Sequence, residues 1–148
     1  MPQSLANVVV HLVFTTKHRA PVLAPNIRTE LHPYLGGVLR NHHCSPIQIG
    51  GVEDHVHILF GLSRTMTVAQ VTEKVKTSTS KWIKSKGIAE FAWQAGYGAF
   101  SVGVRDVAKI AEYVRNQEEH HKRVTVQDEL RSMLNEAGLE FDERYLWD

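Results

Sequence analysis

The chain has 148 residues, 43% hydrophobic and 22% charged, with a formal net charge of +1, a balance that fits one compact globular domain and excludes a disordered or fibrous chain. No apolar run approaches the ~20 residues of a membrane-spanning helix, and Met1-Pro2-Gln3-Ser4 lacks the basic stretch and cleavage site of a secretory signal. The single cysteine, Cys44, cannot form an internal disulfide, which points to the reducing cytoplasm and away from a disulfide-stapled scaffold.

Taken in order, Val8 to Phe14 is a nearly continuous apolar run of the length of a central strand, leaving through the polar Thr15-Thr16-Lys17-His18-Arg19. Pro21 and Pro25 bracket a loop. A helix follows from near Asn26 through Leu31, Leu35, Val38 and Leu39 towards His42, with Pro33 and Gly36-Gly37 allowing a kink or a late start. Pro46 to Ile49 reads as a short strand, and Gly50-Gly51 permits a bulge or turn after it.

The stretch from Glu53 to Leu62 alternates with the period of two that a strand imposes. Val56, Ile58, Phe60 and Leu62 share one face, to be buried under helices, while His55, His57 and Leu59 share the other. The two imidazoles then stand about 7 Å apart along the strand, and two neutral imidazoles converging from one rigid strand can ligate a metal ion. A His-x-His pair by itself is a weak signal, commonly no more than two hydrogen-bonded side chains. A second helix carries Val68, Val71, Val75, Ser78 and Trp82 at helical spacing, flanked by Lys74, Lys76, Lys81, Lys84 and Lys86 with Glu73 opposing. Gly87 ends it, and Gly96 to Val102 reads as a last strand. This order, β-α-β-β-α-β, predicts an α+β ferredoxin-like sheet. Its helices cover one face and leave the His55/His57 face available.

An additional helix is predicted from Asp106, as N-cap, to about His121, with Val107, Ile110, Ala111 and Val114 as its apolar stripe. Tyr113 and Gln117 are i,i+4 neighbours beside that stripe, and His120 continues the line. A tyrosine there is ordinarily an interfacial packing residue. The helix has no place in the basic fold and can bring Tyr113 and Gln117 to the free sheet face. A short helical tail over 125–148 completes one domain whose core spans 5–104. Positions 127–148 hold seven acids and only two arginines, so the rest of the chain carries 15 basic against 9 acidic residues, enough to hold a phosphate backbone. The acidic tail is expected elsewhere on the surface, away from Lys74 and Lys81. Gly-rich phosphate loops, Ser-His-Asp triads, Cys clusters, repeats and aromatic RNA-recognition sequences are all missing.

In combination, Asp54-His55-Val56-His57 and Tyr113-Val114-Arg115-Asn116-Gln117 resemble the single-tyrosine HUH transposases of small bacterial insertion sequences, which act on single-stranded DNA. Thr15-Thr16-Lys17, Lys76-x-x-x-Ser80, Gly96 to Ser101, Asn116 to His121 and Gly138 to Leu146 extend the resemblance over nearly the whole chain. It implies a divalent ion, Mg2+ or Mn2+, held by His55, His57 and the carbonyl oxygen of Gln117, acting as a Lewis acid on the scissile phosphate. It implies Tyr113 as the nucleophile, leaving a 5′-phosphotyrosine and a free 3′-OH. Asp54, Asn116 and His120 are candidates for supporting positions around that site, with His120 equally suited to be a helix C-terminal cation. The partners implied are single-stranded DNA with hairpin ends, contacted through Lys17, Arg19, Lys74, Lys76, Ser80, Lys81 and Lys84, and a second copy of the chain. In such a homodimer, expected to pair through the last strand near Phe100 to Val104, the tyrosine helix of one subunit can complete the site of the other. The alternatives are a domesticated relative that processes repeated genomic hairpins, a non-catalytic nucleic-acid-binding module of the same fold, and a simple metal-dependent hydrolase. A cytoplasmic protein, at the nucleoid when bound to DNA, follows from the same reading.

Overall fold

The computed structural model describes residues 2–148. Strands β1 (Val9–Thr15), β2 (Ser45–Val52), β3 (His55–Gly61) and β4 (Gly98–Val102) form one sheet in the order β2-β3-β1-β4, every neighbouring pair antiparallel. With α1 (Pro25–Asn41) between β1 and β2 and α2 (Val68–Ser85) between β3 and β4, this is the predicted ferredoxin-like topology. The alternation read from the sequence decides what lies between the layers. Val10, Leu12, Phe14, Val56, Ile58 and Phe60 face the two helices and join Leu31, Leu35, Leu39, Val71, Val75 and Ile83 in the main core.

Local details depart from expectation for identifiable reasons. Helix α1 runs unbroken through Pro33, whose ring faces solvent, so the lost hydrogen bond leaves nothing buried without a partner. The register slip in β2 falls between Pro46 and Gln48, so the bulge sits at Ile47, while Gly50 and Gly51 are regularly paired and the turn to β3 is Glu53-Asp54. Helix α2 starts with a capping box between Thr67 and Gln70. Its buried face is rotated towards Thr72, Thr79 and Ile83, leaving Ser78 and Trp82 only half-buried. Both threonines satisfy their hydroxyls on the carbonyls one turn back, at 2.8 and 2.7 Å, so they bury as if apolar. Thr79 also accepts from the Trp93 indole at 2.9 Å.

The second sheet face is not open. The additional helix breaks at Asn116 into α3 (Val107–Arg115) and α4 (Gln117–His120), and Asp106 lies in a 3-10 turn before α3 without capping it through its side chain. Val107, Ile110, Ala111 and Val114 do form the docking stripe, packed with Val9 and Leu59. The tail contains a further helix, α5 (Val126–Glu136), capped by Thr125, whose Val126, Leu130 and Leu134 are buried. The contact that sets how closely α3 approaches is at Gly50, where an added Cβ would lie 1.9 Å from the main-chain oxygen of Val114. Gly50→Ala should therefore lift α3 from the sheet and cost about 1–3 kcal/mol as an overpacked contact, read as a lowered urea midpoint together with exposure of Tyr113. An unchanged midpoint would mean that α3 is held elsewhere.

Candidate active site

Strand β3, helix α4 with the turn that follows it, and helix α5 of the tail deliver side chains to one buried point on the second face. Strand β3 supplies His55 and His57, both 0% exposed, with ring centroids 5.2 Å apart. The α3–α4 break at Asn116 turns Gln117 inward, where it is buried, and α4 is followed at once by His121. Helix α5 contributes Glu129, also buried. One ligand-capable atom from each of His55, His57, His121 and Glu129 lies within 4.8 Å of the others. The Glu129 Oε1 atom is 2.8 Å from His57 Nε2, 3.3 Å from His121 Nε2 and 3.6 Å from His55 Nε2. Gln117 Oε1 joins the group, 3.2 Å from His55 Nε2 and 2.8 Å from His121 Nε2.

Each of the three rings is fixed from behind through its other nitrogen. His55 Nδ1 donates to Asp54 Oδ1 at 2.7 Å, His121 Nδ1 donates to the Val124 carbonyl at 2.7 Å, and His57 Nδ1 shares a proton with Nε2 of His11 on β1 at 2.8 Å. Outer partners of this kind orient imidazoles that ligate metal ions. The inner nitrogens meet oxygens, so His55 and His121 face acceptors with both nitrogens. A centre with such a surplus of lone pairs calls for protons or for a cation, and the donor set fits a divalent ion. Three imidazoles and two oxygens can hold it.

Electrostatics agree with that reading. Burial pushes His57 down to about 4 in spite of Glu129, and burial followed by the neighbouring His57 pushes His11 down to about 3, so both are neutral at pH 7. Burial would raise Glu129, but hydrogen bonds from His121, His57 and Tyr113 outweigh it and hold the carboxyl well below its usual range. His121 is raised: burial opposes its charge, and Glu129 beside it favours the imidazolium. Tyr113 is half-buried and its hydroxyl donates to Glu129 Oε2, with His120 Nε2 at 3.4 Å. Burial and then this carboxylate keep the phenol protonated well above its ordinary range.

Of the residues singled out in the sequence, His55, His57, Tyr113 and Gln117 meet here within a single chain, so the tyrosine helix reaches the histidines of its own sheet. Asp54 supports His55, and His120 contacts Tyr113 and, at 2.9 Å, Glu129 Oε2. Asn116 is exposed and acts through the backbone break. The basic residues lie apart from this centre. Lys76, Ser80, Lys81 and Lys84 line a groove of about 580 Å³ between α2 and residues 91–97, on the other side of the sheet. Lys74 is exposed next to it, and Lys17 and Arg19 form a 3-10 turn at the β1 exit, hydrogen-bonded through Lys17 to Ala92. Lys76 is tied down, with Nζ donating to the carbonyls of Gln94, Ala95 and Gly96 at 2.8, 3.3 and 2.6 Å. Burial lowers it to about 8.

His11, His121 and Glu129 are site residues to which the sequence reading assigned no role. A histidine inside the apolar run of β1 was one available signal, and an acid in step with Val126, Leu130 and Leu134 was another, since a solvated acid belongs on the opposite face of α5. The expectation that the acidic tail lies elsewhere on the surface, its end near Asp142 to Asp148 away from Lys74 and Lys81, is corrected in two places. Glu129 is buried among the histidines, and the end of the tail reaches the wall of the lysine groove, where Gln94 Nε2 donates to the Leu146 carbonyl at 3.0 Å and the Ala95 N–H to that of Asp148 at 2.5 Å. The other acids of this tail are exposed.

Comparison with known proteins agrees with this architecture. The family described as "Transposase IS200 like" matches residues 4–117. The chain belongs to the IS200-like transposase family. Among solved structures it is similar to a provisionally assigned transposase from Deinococcus radiodurans R1, with a TM-score of 0.64 and 20% identity over 79% of this chain and 98% of that one. It is also similar to a REP-associated tyrosine transposase bound to a REP hairpin, with a TM-score of 0.63 and 13% identity over 84% of this chain and 74% of the other. No curated protein matches the chain. No helix among the described residues is long and apolar enough to cross a membrane.

Burial opposes the charge of His121 but Glu129 raises it above its ordinary value, so an ion bound at that ring competes with a more tightly held proton. Mn2+ affinity should then rise with pH through neutrality, and calorimetry in buffers of different ionisation enthalpy should record net proton release. Proton-neutral binding would exclude His121 from the ligand set.

Proposed function

We propose that this family member is a metal-dependent transposase that cleaves and rejoins single-stranded DNA through a 5′-phosphotyrosine intermediate on Tyr113. The observation that carries this reading is the meeting of the Tyr113 hydroxyl with the converging nitrogens of His55, His57 and His121, bridged by Glu129. A divalent ion, Mg2+ or Mn2+, held by His55, His57 and Gln117 with His121 and Glu129 beside them, supplies Lewis-acid stabilisation of charge on the scissile phosphate. The chain's residues do the rest. Asp54, His11 and the Val124 carbonyl hold the imidazoles in place, and packing of Val107, Ile110 and Val114 fixes the helix that carries the nucleophile. In the transfer the Tyr113 oxygen bonds to phosphorus and loses its proton, the bond from phosphorus to the 3′ oxygen breaks, and that oxygen takes up a proton. The new phosphodiester keeps the bond energy, so a 3′-OH can reverse the step.

The DNA partner in this reading is single-stranded with hairpin ends, and the REP hairpin bound by a similar structure supports it. Its backbone is assigned to the groove beside α2, with Lys81, Lys84 and Lys74 as phosphate contacts and the Lys17–Arg19 turn extending the basic surface around the sheet end. Lys76 shapes that groove by holding residues 94–96. A homodimer is assigned to the outer edge of β4, the end of the strand order, where pairing with a second copy would cover an unpaired edge.

Tyr113→Phe should abolish the protein–DNA adduct on a denaturing gel with single strands labelled 3′ of the scissile bond, while changing stability by no more than about 1–2 kcal/mol. The other tyrosines are poor substitutes: Tyr34 stacks on Trp82, Tyr97 lies beside Lys76 and Tyr145 is exposed in the tail. An adduct that persists would move the nucleophile and overturn the assignment. Replacing Lys81 and Lys84 together by Gln should weaken hairpin binding and flatten its salt dependence by a slope of about 1.4–1.8. An unaltered slope would place the DNA on another surface.

A further inference from the structure

Glu129 occupies a position that neither helix stability nor solvation explains. It lies in register with Val126, Leu130 and Leu134 on the buried stripe of α5, 4% exposed, where an apolar side chain would dock the helix at no desolvation cost. Its two oxygens face different groups. Oε1 is turned to the imidazoles, 2.8 Å from His57 Nε2 and 3.3 Å from His121 Nε2, whereas Oε2 accepts from the Tyr113 hydroxyl and lies 2.9 Å from His120 Nε2. Among the described residues no other acid reaches the centre: Asp54 is committed to the outer nitrogen of His55, and Asp128 and Glu136 are exposed on α5. The family match covers residues 4–117 and does not itself include α5 or its carboxylate.

Resting on the strand-transfer reading above, we propose that Glu129 is a further catalytic residue, one oxygen belonging to the cation-binding cluster and the other holding the attacking oxygen of Tyr113 next to it. A carboxylate used in this way sets the distance between the nucleophile and the ion-binding nitrogens through one rigid planar group. The two-carbon stem of Glu is needed to span from α5, since the helix axis is set by Val126, Leu130 and Leu134. It also makes α5 part of the site rather than a cover for it. Without this helix, Tyr113 would lose its acceptor and His57 its inner oxygen, and residues 4–117 would hold an incomplete centre.

The test uses the full chain with Glu129→Gln, which keeps the shape, and Val126→Ala, which loosens α5 without touching the carboxylate. Mn2+ affinity is measured by calorimetry, and adduct formation on a labelled single strand is timed at saturating Mn2+. The Gln variant should bind Mn2+ at least about tenfold more weakly and, once saturated, form adduct about a hundredfold more slowly. Val126→Ala should melt earlier yet keep its Mn2+ affinity within about threefold, because it removes apolar packing one turn away and leaves the carboxylate itself in place. A Gln variant with wild-type affinity and wild-type saturated rate, altered only in stability, would overturn the proposal and leave Glu129 a packing residue. A Gln variant that forms adduct faster would overturn it too, by showing that the carboxylate restrains Tyr113. If the wild-type chain forms no adduct at all, the strand-transfer reading itself falls, an outcome separate from a wild type that reacts no faster than the variant.

Discussion

Two imidazoles at the centre of a sheet, fully removed from water, must have every nitrogen satisfied or destabilise the fold by about 1–3 kcal/mol for each polar group left alone. That constraint organises the second face of this protein. His55 and His57 are fixed in direction by β3, so their partners have to come from what covers the sheet. Asp54 and His11 meet the outer nitrogens from the sheet layer, and Gln117 and Glu129 meet the inner ones from the helical layer, with His121 on the same two oxygens. The covering helices are therefore specified by polar complementarity as much as by the apolar stripe of α3.

The division of labour between the two faces follows. The face towards α1 and α2 is a conventional apolar core, built from Leu12, Phe14, Ile58 and Phe60 against helical leucines and valines, and it supplies the rigidity that a site needs. The opposite face has a small apolar patch, Val9, Leu59 and Val114, just enough to seat α3, beside a dense polar centre. Gly50 lets the α3 backbone descend to the sheet at that seat. The break at Asn116 then reorients the chain so that Gln117 turns inward and His121 follows on the next turn. Beyond the break the N–H of His121 still bonds the Gln117 carbonyl at 2.9 Å, so His121 stands one helical turn after Gln117 and reaches its Oε1 at 2.8 Å.

A basic groove on the far side of the sheet is separated from the tyrosine centre but connected to it around the β1 exit. Thr16 and Lys17 bond there to Asp54 and Ala92, and Gln94 ties Thr15 to Leu146. The turn bearing Asp54, the loop beside α2 and the C-terminal segment thus share one hydrogen-bonded junction. A strand of DNA held in the groove would lie against a segment mechanically linked to the carboxylate that orients His55.

Strand alternation, helix stripes and the order of elements are local or periodic properties, and they sufficed to reveal the topology, the core face, the pairing of His55 with His57 and the placement of Tyr113 and Gln117 on an additional helix. Period two places both histidines on one face whatever covers them, because it depends on backbone geometry alone. The rotation of α2 escaped such reading because a threonine that bonds its own helix behaves as an apolar residue only once packed, as Thr72 and Thr79 do. His11, His121 and Glu129 escaped it for a deeper reason. Each is meaningful only as the partner of a residue far away in the chain, with 46 positions separating His11 from His57 and 72 separating His57 from Glu129. An acid counted with a solvated tail becomes the central carboxylate once α5 docks. The sequence alone singles out His55, His57, Tyr113 and Gln117; the tertiary structure decides which oxygen they share, because convergence of side chains from β1, β3, α4 and α5 is a property of packing and not of spacing.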